Sequence, residues 1–150
     1  MRPWTEAVPK ALLPVAGRPF ADWQLDWLAA GGVDRVVYSV GHLGEAIEDH
    51  VGDGRRWGVD VRYVKEGAVL RGTAGAIRLA ADHGVLDDTF FVLYGDSYLC
   101  VDPRAVAAAF VAAGRPALMT VYHNRGSWDT SNVRYRDGVV ELAVRTAVPA

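Results

Sequence analysis

The sequence contains a single cysteine, Cys100, and only two lysines among its 16 basic residues. One cysteine cannot form an internal disulfide, and no second thiol or histidine cluster stands near it to complete a zinc site. A reducing cytoplasm therefore fits this chain best. The scarcity of lysine also draws attention to Lys10, which lies in a proline-rich stretch.

The chain also lacks an excess of charge of one sign and a long apolar run. Its formal net charge of -2 provides no basic field for the backbone of a nucleic acid polymer. No stretch approaches the roughly 18 apolar residues of a membrane-spanning helix, and the first residues form no apolar run like that of a signal peptide. With 51% apolar and 23% charged residues, residues 1–150 have the composition of one globular domain. We therefore expect a cytoplasmic protein that binds neither a membrane nor a nucleic acid polymer.

Segments with helical spacing alternate with short apolar runs along the chain. The predicted helices are 19–32, 43–51, 72–84 and 103–114. The predicted strands are 34–41, 59–66, 89–96 and 116–123, followed by a hairpin over 132–142 with Asp137-Gly138 at its turn. This alternation predicts an α/β fold with a doubly wound, mostly parallel, Rossmann-like sheet. In such folds ligands bind at the carboxyl ends of the strands.

Asp96 ends the predicted strand 89–96, directly after a run of apolar and aromatic residues. A carboxylate at the carboxyl end of a buried strand is well placed to hold Mg²⁺, which takes few protein oxygens and leaves positions for phosphates. The same residue could instead terminate the strand in a simple turn. Both interpretations stay open on the residues alone.

Two further segments could bind an anion. The segment "GTAGA", residues 72–76, begins a predicted helix, where free backbone N–H groups and small residues let a ligand approach closely. Close packing of the helix on a strand explains these glycines equally well. Lys10 lies between Pro9 and Pro14 in a loop stiffened by fixed φ angles, where its ammonium group could meet a phosphate or simply face solvent.

Five segments, taken in their order, resemble the sugar-1-phosphate nucleotidyltransferases. They are "RPWTEAVPKALLPVAGRP", "VGDGRRWGVDVRYVKE", "GTAGAI", "FFVLYGD" and "SWDTSNVRYRDGVV". The resemblance runs from residue 2 to about 140, and the Pro-Lys-x-Leu-x-Pro-Val element of the first segment is specific to that family. The wording "YGDSY" and "WDTSNV" is most similar to bacterial enzymes that activate mannose-type or heptose 1-phosphates with GTP.

The resemblance implies transfer of a nucleotidyl group from a nucleoside triphosphate to a sugar 1-phosphate, with release of pyrophosphate and Mg²⁺ as the cofactor. By matching position it implies that Lys10 contacts the reacting phosphates and that Asp96 ligates Mg²⁺. The remaining residues that it implies are Glu66, Gly72 and Thr73 at the base and ribose and Asn132 at the sugar.

The chain also departs from the family pattern at both ends. Members of the family begin with an apolar strand and a Gly-x-Gly-Thr-Arg loop, neither of which occurs within residues 1–150, and they carry an acid-lysine pair where Ala143 and Val144 stand. We also expect the family's second metal-binding aspartate to be missing from residues 1–150. We therefore expect residues 1–150 to be a partial domain without the family's first central strand, poorly soluble and of doubtful activity. A non-catalytic relative that binds nucleotide or sugar phosphate, an inactive gene fragment, and an unrelated nucleotide-binding α/β protein stay open as alternatives, as does the oligomeric state.

Overall fold

The computed structural model describes residues 7–67, 71–125, 127 and 133–142. Four α-helices lie within these ranges: α1 (Phe20–Ala30), α2 (Gly44–Val51), α3 (Gly72–Asp82) and α4 (Pro103–Ala113). The strands are β1 (Pro14–Val15), β2 (Arg18–Pro19), β3 (Arg35–Val40), β4 (Asp60–Lys65), β5 (Val133–Arg136) and β6 (Val139–Leu142). Short 3-10 turns cover Lys10–Leu12 and Arg55–Trp57. The chain is therefore a mixed α/β protein, and no helix among these residues is long and apolar enough to cross a bilayer.

Helix α1 shows why the predicted helices form. It begins directly after Pro19, whose fixed φ suits a helix start, and it ends at Gly31, whose N–H donates to the carbonyl of Trp27 at 3.0 Å. Between these ends Ala21 and Leu25, four residues apart, are completely buried on one face. All four predicted helices are confirmed, with ends that shift by one or two residues.

Strands β3 and β4 form a parallel pair that is joined through α2. The pairing runs in register from Arg35 opposite Asp60 to Val40 opposite Lys65. The rings of Tyr38 and Tyr63 face each other across the pair with centroids 6.0 Å apart. The prediction of parallel strands with helical connections is confirmed for this part of the chain.

The hydrophobic core joins this parallel pair to α1 and α2. Its buried members are Ala11, Ala21, Leu25, Val51, Val59 and Val61. The alternation of Val59 and Val61 with exposed Asp60 and Arg62 buries one side of β4 while the other residues stay in water. The core therefore lies under α1, and this helix is the element best placed to position the loops around it.

The predicted strands 89–96 and 116–123 are wrong, because no strand is formed in either segment. A strand exists only through ladder hydrogen bonds to a neighbour, and the strands of the described residues pair only as β1 with β2, β3 with β4 and β5 with β6. Apolar residues of both segments, among them Phe91, Val92 and Met119, are exposed. An apolar β-branched run predicts a tendency to be buried, but it does not supply the partner.

The backbone contacts divide the chain into two compact units, Met1–Ala107 and Ala108–Ala150. The first contains the core and the β3–β4 pair. The second contains the antiparallel hairpin of β5 and β6, in which Val133 pairs with Leu142. Its turn residues Asp137 and Gly138 both have positive φ, as a two-residue hairpin turn requires, so the predicted hairpin is confirmed.

We predict that Gly31→Ala destabilises the protein although its φ of -79° suits alanine. A Cβ atom at this position would lie 2.5 Å from Cγ of Pro103 and 2.7 Å from its Cδ, and the proline is itself buried. Overpacking of this kind costs about 1–3 kcal/mol, which urea unfolding will measure. Gly95→Ala is the control, since a Cβ there meets no atom within 4 Å. Equal stability of the two variants would contradict the tight contact.

We also predict that stability falls above about pH 10 because of a partly buried tyrosine, Tyr38. Burial raises the pKa of the Tyr38 phenol far above its ordinary value, and the neighbouring Tyr63 and Asp22 raise it further. The unfolded chain releases this proton near pH 10 while the folded chain keeps it, so the free energy of unfolding drops by at most about 1.4 kcal/mol per pH unit.

The measurement is urea unfolding of the protein and of Tyr38→Phe at pH 8 and pH 11. At pH 8 the tyrosine is protonated in both states, so the two proteins should differ only by a constant. At pH 11 the variant should have lost less stability than the unmodified protein. Parallel losses in the two proteins would show that Tyr38 does not cause the alkaline sensitivity.

Candidate active site

The backbone around Lys10 is fixed while its side chain reaches into solvent. Pro9, at φ -62° and ψ 145°, leads into the 3-10 turn, and the N–H of Leu12 donates to the Pro9 carbonyl at 2.9 Å. Ala11, the next residue, is buried in the core. Lys10 therefore projects from an anchored turn, as the flanking prolines predict.

A small hairpin connects this turn to α1. Strands β1 and β2 pair antiparallel around Ala16 and Gly17, both of which have positive φ. The indole Nε1 of Trp23 donates to the carbonyl of Val15 at 2.9 Å. The guanidinium of Arg18 lies 4.5 Å from the centroid of the same indole ring. Helix α1 thus holds the hairpin that follows Lys10.

Lys10 and Asp96 meet although 86 residues separate them in sequence. Nζ of Lys10 donates to Oδ2 of Asp96 at 3.3 Å, and the two side chains are 56% and 53% exposed. Asp96 lies in a turn closed by the N–H of Ser97 on the carbonyl of Tyr94 at 3.1 Å, although no strand precedes this turn. Its carboxylate points to Lys10. The structure therefore brings together the two residues that the resemblance assigns to phosphate and metal.

The predicted base and ribose residues lie around the loop between β4 and α3. The N–H of Glu66 extends the parallel ladder by donating to the Val40 carbonyl at 2.9 Å, and its Oε2 accepts from the N–H of Arg71 at 3.4 Å. Gly72 begins α3 at φ +65°, where a Cβ would meet open space, so backbone conformation rather than tight packing calls for glycine. Thr73 is exposed in the first turn of the helix.

The described contacts do not link Glu66, Gly72 or Thr73 to Lys10 or Asp96. Asn132, the predicted sugar residue, lies outside the described residues. The Lys10–Asp96 pair is therefore the part of the candidate site whose geometry the structure defines.

Comparison with known proteins identifies the family. Residues 1–141 match the sequence profile described as "Nucleotidyl transferase". The chain belongs to the nucleotidyl transferase family. The resemblance drawn from the sequence is therefore confirmed.

Three curated relatives show what kinds of family members are similar to this chain. It is 39% identical over 113 residues to the N-acetylmuramate alpha-1-phosphate uridylyltransferase of Neisseria meningitidis serogroup B, covering 75% of this chain and 47% of that protein. It is 36% identical over 96 residues to the mannose-1-phosphate guanylyltransferase of Mycobacterium tuberculosis, covering 64% and 26%. It is 33% identical over 111 residues to the UTP--glucose-1-phosphate uridylyltransferase of Synechocystis sp., covering 68% and 29%. The chain spans less than half the length of each relative.

The donor set at Asp96 is compatible with Mg²⁺ but not with an all-protein metal cage. Among the residues that the structure describes, no group of three or more His, Cys, Asp or Glu side chains could hold a metal ion. Mg²⁺ keeps several waters and is usually bound through one or two carboxylates together with substrate phosphates. A half-exposed carboxylate beside a lysine that can bind phosphate meets this requirement.

Gln24 is a residue near the candidate site that the sequence did not indicate. It is only 3% exposed, and its side-chain amide donates to the backbone carbonyls of Tyr94 and Ser97 on either side of Asp96. A polar residue between the buried positions Ala21 and Leu25 of an amphipathic helix was the available signal. The sequence could not show which loop this amide contacts.

Proposed function

We propose that the protein transfers a nucleotidyl group from a nucleoside triphosphate to a sugar 1-phosphate. The single observation that carries this proposal is the contact between Nζ of Lys10 and Oδ2 of Asp96 at 3.3 Å. A cation for phosphate and a carboxylate for a divalent metal then stand side by side in a chain of the nucleotidyl transferase family. The three relatives are named as two uridylyltransferases and one guanylyltransferase that act on 1-phosphates, which supports the same class of reaction.

The proposed reaction is an in-line displacement at phosphorus. A phosphate oxygen of the sugar 1-phosphate forms a bond to the α-phosphorus, and the bond from the α-phosphorus to the oxygen that bridges to the β-phosphorus breaks. The leaving pyrophosphate takes the electron pair of that bond, and the product is an NDP-sugar. Because both reactants are anions, holding them in line and neutralising their charge supply most of the catalysis.

Lys10 and Asp96 divide this neutralisation between them. In the free protein each side chain is the counter-ion of the other. On substrate binding the Lys10 ammonium moves from the carboxylate to phosphate oxygens, and Asp96 would hold Mg²⁺. Bound there, the ion supplies positive charge against the triphosphate. Breaking the ion pair between Lys10 and Asp96 costs little free energy, because both side chains are about half exposed to water.

The proposal also assigns roles to residues at the base, the ribose and the sugar. Glu66, Gly72 and Thr73 would line the base and ribose, since they surround the carboxyl end of β4 and the start of α3. Asn132 would approach the sugar. We further propose GTP as the nucleotide and a mannose-type or heptose 1-phosphate as acceptor, on the wording of residues 94–98 and 128–133. Residues 1–150 would then belong to a single, doubly wound domain, a proposal supported by a family match that extends over both compact units.

Asp96→Asn and Lys10→Met should each lower kcat by about 100-fold or more, because they remove charge that acts on the reacting phosphates. The measurement is Mg²⁺-dependent release of pyrophosphate by the 150-residue chain from GTP and mannose 1-phosphate. Stability should change by less than about 1 kcal/mol, since exposed ion pairs contribute little.

Asp82→Asn is the matched control for this pair of variants. The Asp82 carboxylate is also 53% exposed and also accepts from a cation, Arg78, at 2.9 Å, but it lies on α3 away from Asp96 in sequence. It should keep full activity. Turnover that survives both site variants would refute the proposed roles. Nucleotide binding without any turnover by the unmodified chain would favour the non-catalytic relative.

The nucleotide is tested with a matrix of four nucleoside triphosphates against mannose, heptose and glucose 1-phosphates. We expect the highest kcat/KM with GTP and a mannose-type or heptose 1-phosphate. A preference for UTP or dTTP would overturn the guanylyl assignment and leave the reaction class intact. No turnover with any pair, despite folded protein, would count against the reaction itself.

A further inference from the structure

The turn that carries Asp96 is held by one buried side chain of α1. Nε2 of Gln24 donates to the carbonyl of Tyr94 at 3.0 Å and to the carbonyl of Ser97 at 2.6 Å. These two carbonyls flank Asp96, and the N–H of Ser97 closes the same turn on Tyr94. Carbonyl oxygens only accept, so the nitrogen end of the amide must face them, and both of its hydrogens are used.

Gln24 is itself held in place by the core. It is 3% exposed, and its helix neighbours Ala21 and Leu25 are completely buried. Leaving a buried amide N–H without an acceptor costs free energy. Any orientation of the Gln24 side chain that breaks these two hydrogen bonds is therefore unfavourable. Its two hydrogen bonds therefore hold the backbone on both sides of Asp96 at a fixed distance from α1.

The next part of the loop is attached to the same helix. Nε1 of Trp27 donates to the carbonyl of Val101 at 2.8 Å. The ring of Tyr98 packs edge-on to Phe20, with centroids 6.5 Å apart, and lies 5.9 Å from Trp27. These contacts fix the loop after Ser97. Among the side-chain hydrogen bonds of the described residues, only those of Gln24 bind the backbone of the turn at Asp96.

We propose that Gln24 is the positioning residue for Asp96 and sets its distance to Lys10. The described segment around Asp96 forms no strand, so a sheet ladder does not fix this carboxylate. Instead, the amide of Gln24 fixes the turn by donating hydrogen bonds to its first and last residues. The catalytic consequence rests on the proposed function, but the positioning itself can be measured without turnover.

The two lysines of the chain allow a direct test. Lysine labelled with ¹³C at Cε gives one NMR signal for Lys10 and one for Lys65, whose Nζ pairs with Glu48 at 3.1 Å and serves as the internal control. Asp96→Asn defines the Lys10 signal without its carboxylate partner. Gln24→Leu removes both donors at similar volume and should move the Lys10 signal toward that value while the Lys65 signal stays unchanged.

An unmoved Lys10 signal in folded Gln24→Leu would overturn the proposal. If that variant fails to fold, Gln24→Asn keeps the amide but shortens its reach, and the same shift of Lys10 alone is expected. Unfolding of both variants, seen as both lysine signals collapsing to those of the unfolded chain, would also overturn it, because Gln24 would then hold the fold rather than the turn.

Turnover gives a second, separate result. If the unmodified protein is active, Gln24→Leu should lower kcat by about 10-fold to 100-fold with little change in KM, as a displaced catalytic group does. An active Gln24→Leu variant with unchanged kcat would refute the catalytic consequence. If the unmodified protein is inactive, the proposed function fails while the lysine signals still decide the positioning.

Discussion

The burial of helix α1 is the constraint on which the rest of the candidate site depends. Its Ala21 and Leu25 belong to the same buried cluster as Val59 of the loop and Val61 of β4, so the helix cannot shift without opening the core. Other side chains of the same helix donate hydrogen bonds to backbone carbonyls of the loops around it. Trp23 holds the hairpin that follows Lys10, and Gln24 holds the turn of Asp96. One packed helix thereby brings together two segments that are 86 residues apart.

The same helix carries a buried charge that is compensated in a different way. The carboxylate of Asp22 is buried, and its Oδ1 accepts from Nε2 of His50 at 2.7 Å and from Nη2 of Arg56 at 3.1 Å. These bonds tie α1 to α2 and to the 3-10 turn after it, and removing one partner would leave a buried charge incompletely paired. The Lys10–Asp96 pair contributes little to the stability of the fold, because both side chains are about half exposed.

The helices and the parallel pair could be predicted because burial on one face leaves a period in the sequence. Leu25 and the Gly31 stop define α1, and the alternation around Val61 defines β4. The run 89–96 could not be assigned in this way, since its apolar residues signal a preference for burial while the strand itself requires a partner. Lys10 and Asp96 stood out in the sequence with more than one interpretation open, the family resemblance assigned their roles, and the structure adds their contact. Gln24 was missed because a polar residue on the buried side of a helix does not reveal the loop that it contacts.

The mutual pairing of Lys10 and Asp96 has a consequence for how ligands would bind if the proposed function holds. While the two side chains neutralise each other, neither is fully available to an incoming ion. A phosphate that draws away the ammonium group leaves the carboxylate with an unbalanced negative charge, which raises its affinity for a cation. A cation at the carboxylate likewise releases the ammonium group for phosphate. Linkage requires these two effects to be equal, so the pair would favour joint binding of nucleotide and metal over binding of either one alone.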